Sequence, residues 1–150
     1  MNKSIKQTFT CVGINNVIPI LQSKKFHIVE VLILKNSKAE KDKKLNDTLK
    51  SYGLNKIKKV NDIKGSQSFK TQGVSITFSG KLIYDEILVS STKENVSFLV
   101  LDQIKDPQNF GQIIRTVECA GINGIIYSKH PSVPLNETVL QVSQLSLIHI

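Results

Sequence analysis

Apolar residues recur along this chain with two different periods, and the switches between them divide it into elements. In "NNVIPILQSKKFHIVEVLILKNS" the spacing around Val17 to Leu21 is helical, a basic turn follows, and "IVEVLILK" is β-branched and of strand length. In "KAEKDKKLNDTLKSYGLNKIKKV", Leu45, Leu49 and Tyr52 fall at helical spacing, and Gly53 stands where a helix would end on a left-handed residue. "IKKVN" predicts a short strand, "DIKGSQSFKTQ" a polar loop, and "GVSITFSG" alternates like a half-buried strand. Residues from about 10 to 80 are therefore expected to form a small β/α unit.

"SGKLIYDEILVSSTKENVS" mixes polar residues with a short apolar turn and reads as a linker. Beyond it "FLVLD" predicts a buried strand, "QIKDPQNFG" a loop, "GQIIRTVECAG" a helix, "ING" its exit turn and "IIYS" a second strand. That order is βαβ, so a parallel sheet is expected. "KHPSVPLN" follows as a loop and "ETVLQVSQ" as the start of a further helix. The fold class is α/β, with no internal repeat.

Composition changes this picture through charge. The chain has 150 residues and a net charge of +8, but from Met1 to Lys70 15 lysines face five acids, whereas from Thr71 onward four lysines and one arginine face seven. The first half alone is basic, which fits either a polyanion partner or a lysine-rich solvated surface. No stretch approaches the roughly 18 apolar residues of a membrane span, and the N-terminus lacks a signal peptide's apolar core, so a cytoplasmic protein without a membrane partner is expected. Cys11 and Cys119 stand far apart without metal-ligand spacing. Two reduced thiols and no metal site are expected.

Arg115 is the chain's one arginine; the other basic residues are lysine. In the helix that holds it, Ile113, Ile114, Val117 and Ala120 can face the sheet while Gln112, Arg115 and Glu118 point elsewhere. Asn109 is positioned to cap the helix, Pro107 sets its entry, and Gly111 lets backbone approach a neighbour. Arg115 then lies about one turn in, near the carboxyl end of the first strand, where open α/β sheets bind ligands. Spacing alone also allows a surface arginine paired with Glu118. "DPQNFG" has neither a Walker lysine nor a GxGxxG, which argues against a nucleotide-binding enzyme.

The stretch "LVLDQIKDPQNFGQIIRTVECAGINGII" closely resembles the first signature motif of the SpoU family of RNA 2′-O-ribose methyltransferases, in the SPOUT superfamily; Asp102, Asp106, Pro107, Asn109, Gly111, Arg115, Thr116 and Gly121 match. Upstream, "GINNVIPILQS" and "TQGVSITF" resemble the opening helix and closing strand of the small RNA-binding domain of many members, and Leu135, Asn136, Val142 and Ser143 fit the stretch after the second strand. The resemblance implies methyl transfer from S-adenosylmethionine to a ribose 2′-hydroxyl of ribosomal or transfer RNA. It implies that Arg115 lies at the target ribose and phosphate, that Asn109 orients the motif loop, and that the full-length protein is a homodimer. Structured RNA is the expected partner, with Lys24, Lys25, Lys58, Lys59 and Lys70 as candidate contacts in the basic half.

The pattern breaks after Ser143, where the family continues with Gly-Ala and this chain has "QLSLIHI". "LSLIHI" is also a translation of the transposon end of sequencing-library adapters, CTG TCT CTT ATA CAC ATC. The expected layout is an RNA-binding α/β domain over 1–80, a linker over 81–96, the first βαβ part of a knotted, Rossmann-like SPOUT domain over 97–144, and a non-native tail over 145–150. On this expectation the knot and the cofactor motifs are missing, the fragment is inactive alone, and apolar surface is left open beyond Ser143. A non-catalytic RNA-binding module is the alternative.

Overall fold

The computed structural model describes residues 8–53, 56–63, 71–80, 82, 96–128 and 130–143. The chain divides into two units, Met1–Lys81 and Leu82–Ile150. Most of the expected linker, Lys70 and the tail over 145–150 lie outside the described residues.

The first unit runs β1 (Thr8–Val12), α1 (Ile14–Ser23), β2 (His27–Leu34), α2 (Lys38–Lys41), α3 (Lys43–Tyr52), β3 (Ile57–Val60) and β4 (Val74–Ser79). Its sheet has the order β1-β4-β2-β3, with β4 antiparallel to both neighbours and β2 parallel to β3. The sequence reading passed over β1, although Phe9 and Cys11 alternate with threonines; they pair with Phe78 and Ile76 of β4. Strand β4, expected half-buried, is central and nearly fully buried, Ser75 and Ser79 included. Helices α1 and α3 pack together, with Val17, Ile20, Leu21, Leu45 and Leu49 buried.

Two local devices shape this unit. The helical pattern from Lys38 to Tyr52 is broken at Asp42, which turns extended and accepts a hydrogen bond on its carboxylate from the Leu45 N–H at 2.8 Å, capping α3. The Gln72–Gly73 turn has both residues at positive φ, and a side chain on Gly73 would collide with Ser37. Around that turn the Gln72 side chain accepts from Ile14 N–H at 3.0 Å, the Gln72 carbonyl from Ala39 N–H at 3.1 Å and the Gly73 carbonyl from Leu34 N–H at 2.9 Å. One turn thus fastens the start of α1 to the junction of β2 and α2.

In the second unit β5 (Phe98–Leu101) and β6 (Gly124–Tyr127) run parallel, joined by α4 (Pro107–Cys119), and α5 (Glu137–Val142) follows. The α/β class and the parallel βαβ pattern are as expected. Phe110, Ile114, Leu135 and Val139 form the core, with Leu101, Ile104, Ile125, Tyr127 and Val133 packed against them. The rings of Phe110 and Tyr127 lie 5.0 Å apart at 58°. Gly111 marks the crossing of α4 over α5: a Cβ there would sit 2.6 Å from Val142 Cβ and 3.1 Å from the Val139 carbonyl oxygen. At the far end of α4, Gly121 at φ 70° lets its own N–H reach the Glu118 carbonyl and the Ile122 N–H reach that of Val117, a paired closure of the last turn.

Ser143 is buried, its hydroxyl donating to the Leu140 carbonyl at 3.1 Å, and the apolar surface expected beyond it falls outside the described residues. Among the described residues of this unit, the exposed large apolar side chains are Val96, just ahead of β5, and Phe98 and Val100, which alternate along one face of it.

Gly111→Ala is expected to lower stability by about 1–3 kcal/mol, because part of what its methyl meets is backbone; a urea midpoint equal to wild type would contradict this. Burial raises the pKa of the Tyr127 hydroxyl above its ordinary value. The neutral form is thus favoured in the folded state, so this contribution to stability is full below the unfolded pKa of about 10 and is lost as pH rises through the folded value. Unfolding followed from pH 9 to 12 is expected to show an alkaline loss that Tyr127→Phe diminishes.

Candidate functional site

The motif helix begins one turn earlier than the spacing suggests. Asp106, not Asn109, is the N-cap; its carboxylate accepts from the Gln108 N–H at 2.9 Å, and Pro107 occupies the first helical position, where no N–H is needed. Asn109 therefore sits inside the first turn, exposed. The cue in sequence is Asp-Pro itself, an acceptor followed by the residue best suited to a helix's first position.

Three sides of α4 have separate uses. Phe110, Ile114 and Val117 face the core. Gly111 faces α5, and Arg115 lies one turn further along the same side. Asn109, Gln112, Ile113, Thr116 and Ala120 line an open groove of about 620 Å³ together with Leu99, Ile104 and Ile122. Ile113 and Ala120, expected against the sheet, belong to this groove, with Ala120 exposed. The Thr116 hydroxyl is engaged within the helix, donating to the Gln112 carbonyl at 3.0 Å.

Arg115 is exposed, and among the described residues neither it nor Glu118 has an ion-pair partner. The pairing that spacing allowed is not made, and the guanidinium is available to an external anion. Asn109 and Arg115 are six residues apart, which on an α-helix is ~9 Å along the axis and roughly 120° around it. One copy of the helix thus presents them on different sides.

The loops at the carboxyl ends of the two strands are tied together. Gln103 N–H donates to the Ser128 hydroxyl at 3.2 Å, that hydroxyl shares a 2.8 Å hydrogen bond with Ser132, and Val133 N–H donates to the Ile104 carbonyl at 2.7 Å. Asp102 is exposed at the end of β5, while Leu135 is core and Asn136 caps α5 through Val139 N–H. Sequence reasoning missed the serine link, for which isolated serines give no signal.

Four of the five lysines named from sequence lie in described segments, and Lys70 does not. Lys24 and Lys25 follow α1 at one end of the sheet, whereas Lys58 and Lys59 on β3 reach Glu30 at 3.2 Å and Glu40 at 2.9 Å. Cys11 is buried and Cys119 exposed, and neither is in a disulfide. Among the described residues no group of three or more metal-ligating side chains could hold a metal ion, and no helix is long and apolar enough to cross a membrane.

Residues 97–150, which contain α4 and the strands on either side, match the SpoU rRNA Methylase family. Outside the family match, a 23S rRNA (guanosine-2'-O-)-methyltransferase RlmB of Xylella fastidiosa is 29% identical over 140 residues, which are 88% of this chain and 55% of that protein. An uncharacterized tRNA/rRNA methyltransferase of Mycoplasma pneumoniae, an MG252 homolog, is 40% identical over 63 residues, 42% of this chain and 26% of that one. The chain thus spans from about a quarter to just over half of these relatives' length. Among solved structures, an AdoMet-bound rRNA methyltransferase from Sinorhizobium meliloti matches with a TM-score of 0.69 at 22% identity, over 95% of this chain and 52% of that one. The SpoU methyltransferase AviRb from Streptomyces viridochromogenes gives 0.69 at 16%, over 94% and 52%. These likenesses establish a SpoU-type fold, in which the SpoU motif residues Asp106, Gly111 and Gly121 have structural uses and Arg115 has none.

Asp106→Ala is expected to cost about 1 kcal/mol as a lost cap, and Asn109→Ala less than about 0.5 kcal/mol. Chemical denaturation of the two variants checks the assignment; equal losses would contradict it.

Proposed function

We propose that the chain is part of an RNA 2′-O-ribose methyltransferase acting on ribosomal or transfer RNA, with Arg115 at the RNA. The observation that carries this is the free, exposed guanidinium on a helix whose remaining motif residues are accounted for by capping, crossing and closure. A guanidinium presents a planar fork to phosphate oxygens and stays charged, so it can hold the backbone beside the target ribose. The same charge lowers the energy of the oxyanion that develops as the 2′-hydroxyl gives up its proton. Lysine could supply charge but not the fork.

S-adenosylmethionine is the methyl donor this reading implies, and it would supply an electrophilic methyl. The described residues do not fit it. The groove beside α4 is lined by Leu99, Ile104, Asn109, Gln112, Ile113, Thr116, Val117, Ala120 and Ile122, without a charged side chain for the donor's ammonium and carboxylate. The orphaned buried side-chain atom among the described residues, Asn16 Oδ1, is in the first unit. The roles assigned here are therefore on the RNA side. Asn109, on the groove side, is assigned to orienting the motif loop. A homodimer belongs to the same proposal and is supported by the open apolar groove, and an RNA substrate of this kind would be met in the cytoplasm.

The test is methyl transfer from labelled S-adenosylmethionine into ribosomal or transfer RNA by the whole protein, with the product digested to nucleosides. A 2′-O-methylated nucleoside is expected, and Arg115→Lys should lower kcat roughly 100-fold. Near-wild-type turnover in Arg115→Lys would remove the role given to the guanidinium. RNA binding without ribose methylation would leave a binding module.

A further inference from the structure

The positive charge of the first unit is concentrated at one end of its sheet. Strands β1 and β2 both run antiparallel to β4, so Val12 and Leu34 finish at the same end. Helices α1, α2 and α3 all begin there, and the stretch from Lys35 to Lys44 wraps that end. It carries Lys35, Lys38, Lys41, Lys43 and Lys44, all exposed, and among the described residues none of the five has an ion-pair partner.

The two acids in this stretch are turned to internal uses. Glu40 accepts from the Asn36 N–H at 2.6 Å and from Lys59 at 2.9 Å, and Asp42 caps α3. Elsewhere on the unit, Lys50 pairs with Asp47, Lys58 pairs with Glu30, and Lys56 donates to the Ile28 carbonyl at 2.7 Å. The corner is also held rigidly, because the Gln72–Gly73 turn bonds both Leu34 and Ala39 on either side of it.

We propose that Lys35, Lys38, Lys41, Lys43 and Lys44 form the face by which the first unit grips the phosphate backbone of RNA. This rests on the RNA reading above and adds to it a docking surface on the first unit. Five lysines with no arginine and no exposed aromatic suit a sequence-independent phosphate contact, not base readout. An acidic protein or an anionic membrane is a poorer match. The apolar residue of the stretch, Ala39, is fully buried, so the corner offers no apolar anchor of the kind that protein interfaces and membrane-surface segments use.

The experiment measures binding of the full chain to a fluorescent RNA stem-loop over a salt series. Each phosphate contact contributes about 0.7–0.9 to the slope of log affinity against log salt. The variant Lys38→Gln/Lys41→Gln/Lys43→Gln/Lys44→Gln is expected to lose roughly 2–4 from that slope. The corresponding four-arginine variant should keep it, which separates lost contact from lost fold. Lys24→Gln/Lys25→Gln, at the opposite end of the sheet, should lose less. An unchanged slope in the glutamine variant, or a larger loss from Lys24 and Lys25, overturns the proposal. So does binding of the unsubstituted chain to phosphatidylserine vesicles but not to RNA. Loss of the slope at the corner without any ribose methylation would strike the methyltransferase reading and leave this docking surface standing.

Discussion

Where α4 crosses α5 there is no room for a side chain, and the second unit depends on that contact. A Cβ at Gly111 would run into Val142 and the Val139 carbonyl. With the crossing in place, Phe110 and Ile114 on α4 meet Leu135 and Val139 from the α5 side in one core. The rotation of α4 about its axis follows from that, since the helical period leaves one way to bury Phe110, Ile114 and Val117 together. Arg115 is carried to the surface beside the crossing, and Asn109, Ile113 and Thr116 to the groove. A glycine chosen for close packing thereby sets the direction of a guanidinium one turn away.

Backbone constraints set the charge pattern of the first unit in a comparable way. The left-handed Gln72–Gly73 turn brings the start of α1 and the β2–α2 junction to one point. Asp42 breaks the helix and in doing so commits its carboxylate to a cap, while Glu40 commits its own to Asn36 and Lys59. Those contacts, with Lys59 first among them, hold the Glu40 carboxyl below its ordinary pKa. The net result is that the two acids between Lys35 and Lys44 are engaged within the unit, while the five lysines of that stretch are exposed without an ion-pair partner among the described residues.

The βαβ order, the helix around Arg115 and its closing glycine were legible in the sequence. Each rests on local physics: apolar periodicity, the conformational freedom of glycine at Gly121, and the exclusion of proline from all but the first turn of a helix. The density of the motif from Asp102 to Gly121 likewise pointed to a family before any coordinates, and residues 97–150 match that family. Strand β1 was legible in principle from the alternation of Phe9 and Cys11 with threonine, but five residues are too few for the pattern to stand out.

What the tertiary structure decided is everything that depends on a neighbour distant in sequence. Asn109 could not be told from a cap until the helix was seen to start at Pro107, and Ser75 and Ser79 are buried because strands lie on both sides of β4. Lys58 and Lys59 read as free charge until β3 was placed beside Glu30 and Glu40. Sequence by itself determined which residues are charged, apolar or conformationally free, since those are properties of single side chains. Which charges remain unpaired, and which face of a helix reaches solvent, only the fold could decide, because pairing and burial require two segments to meet.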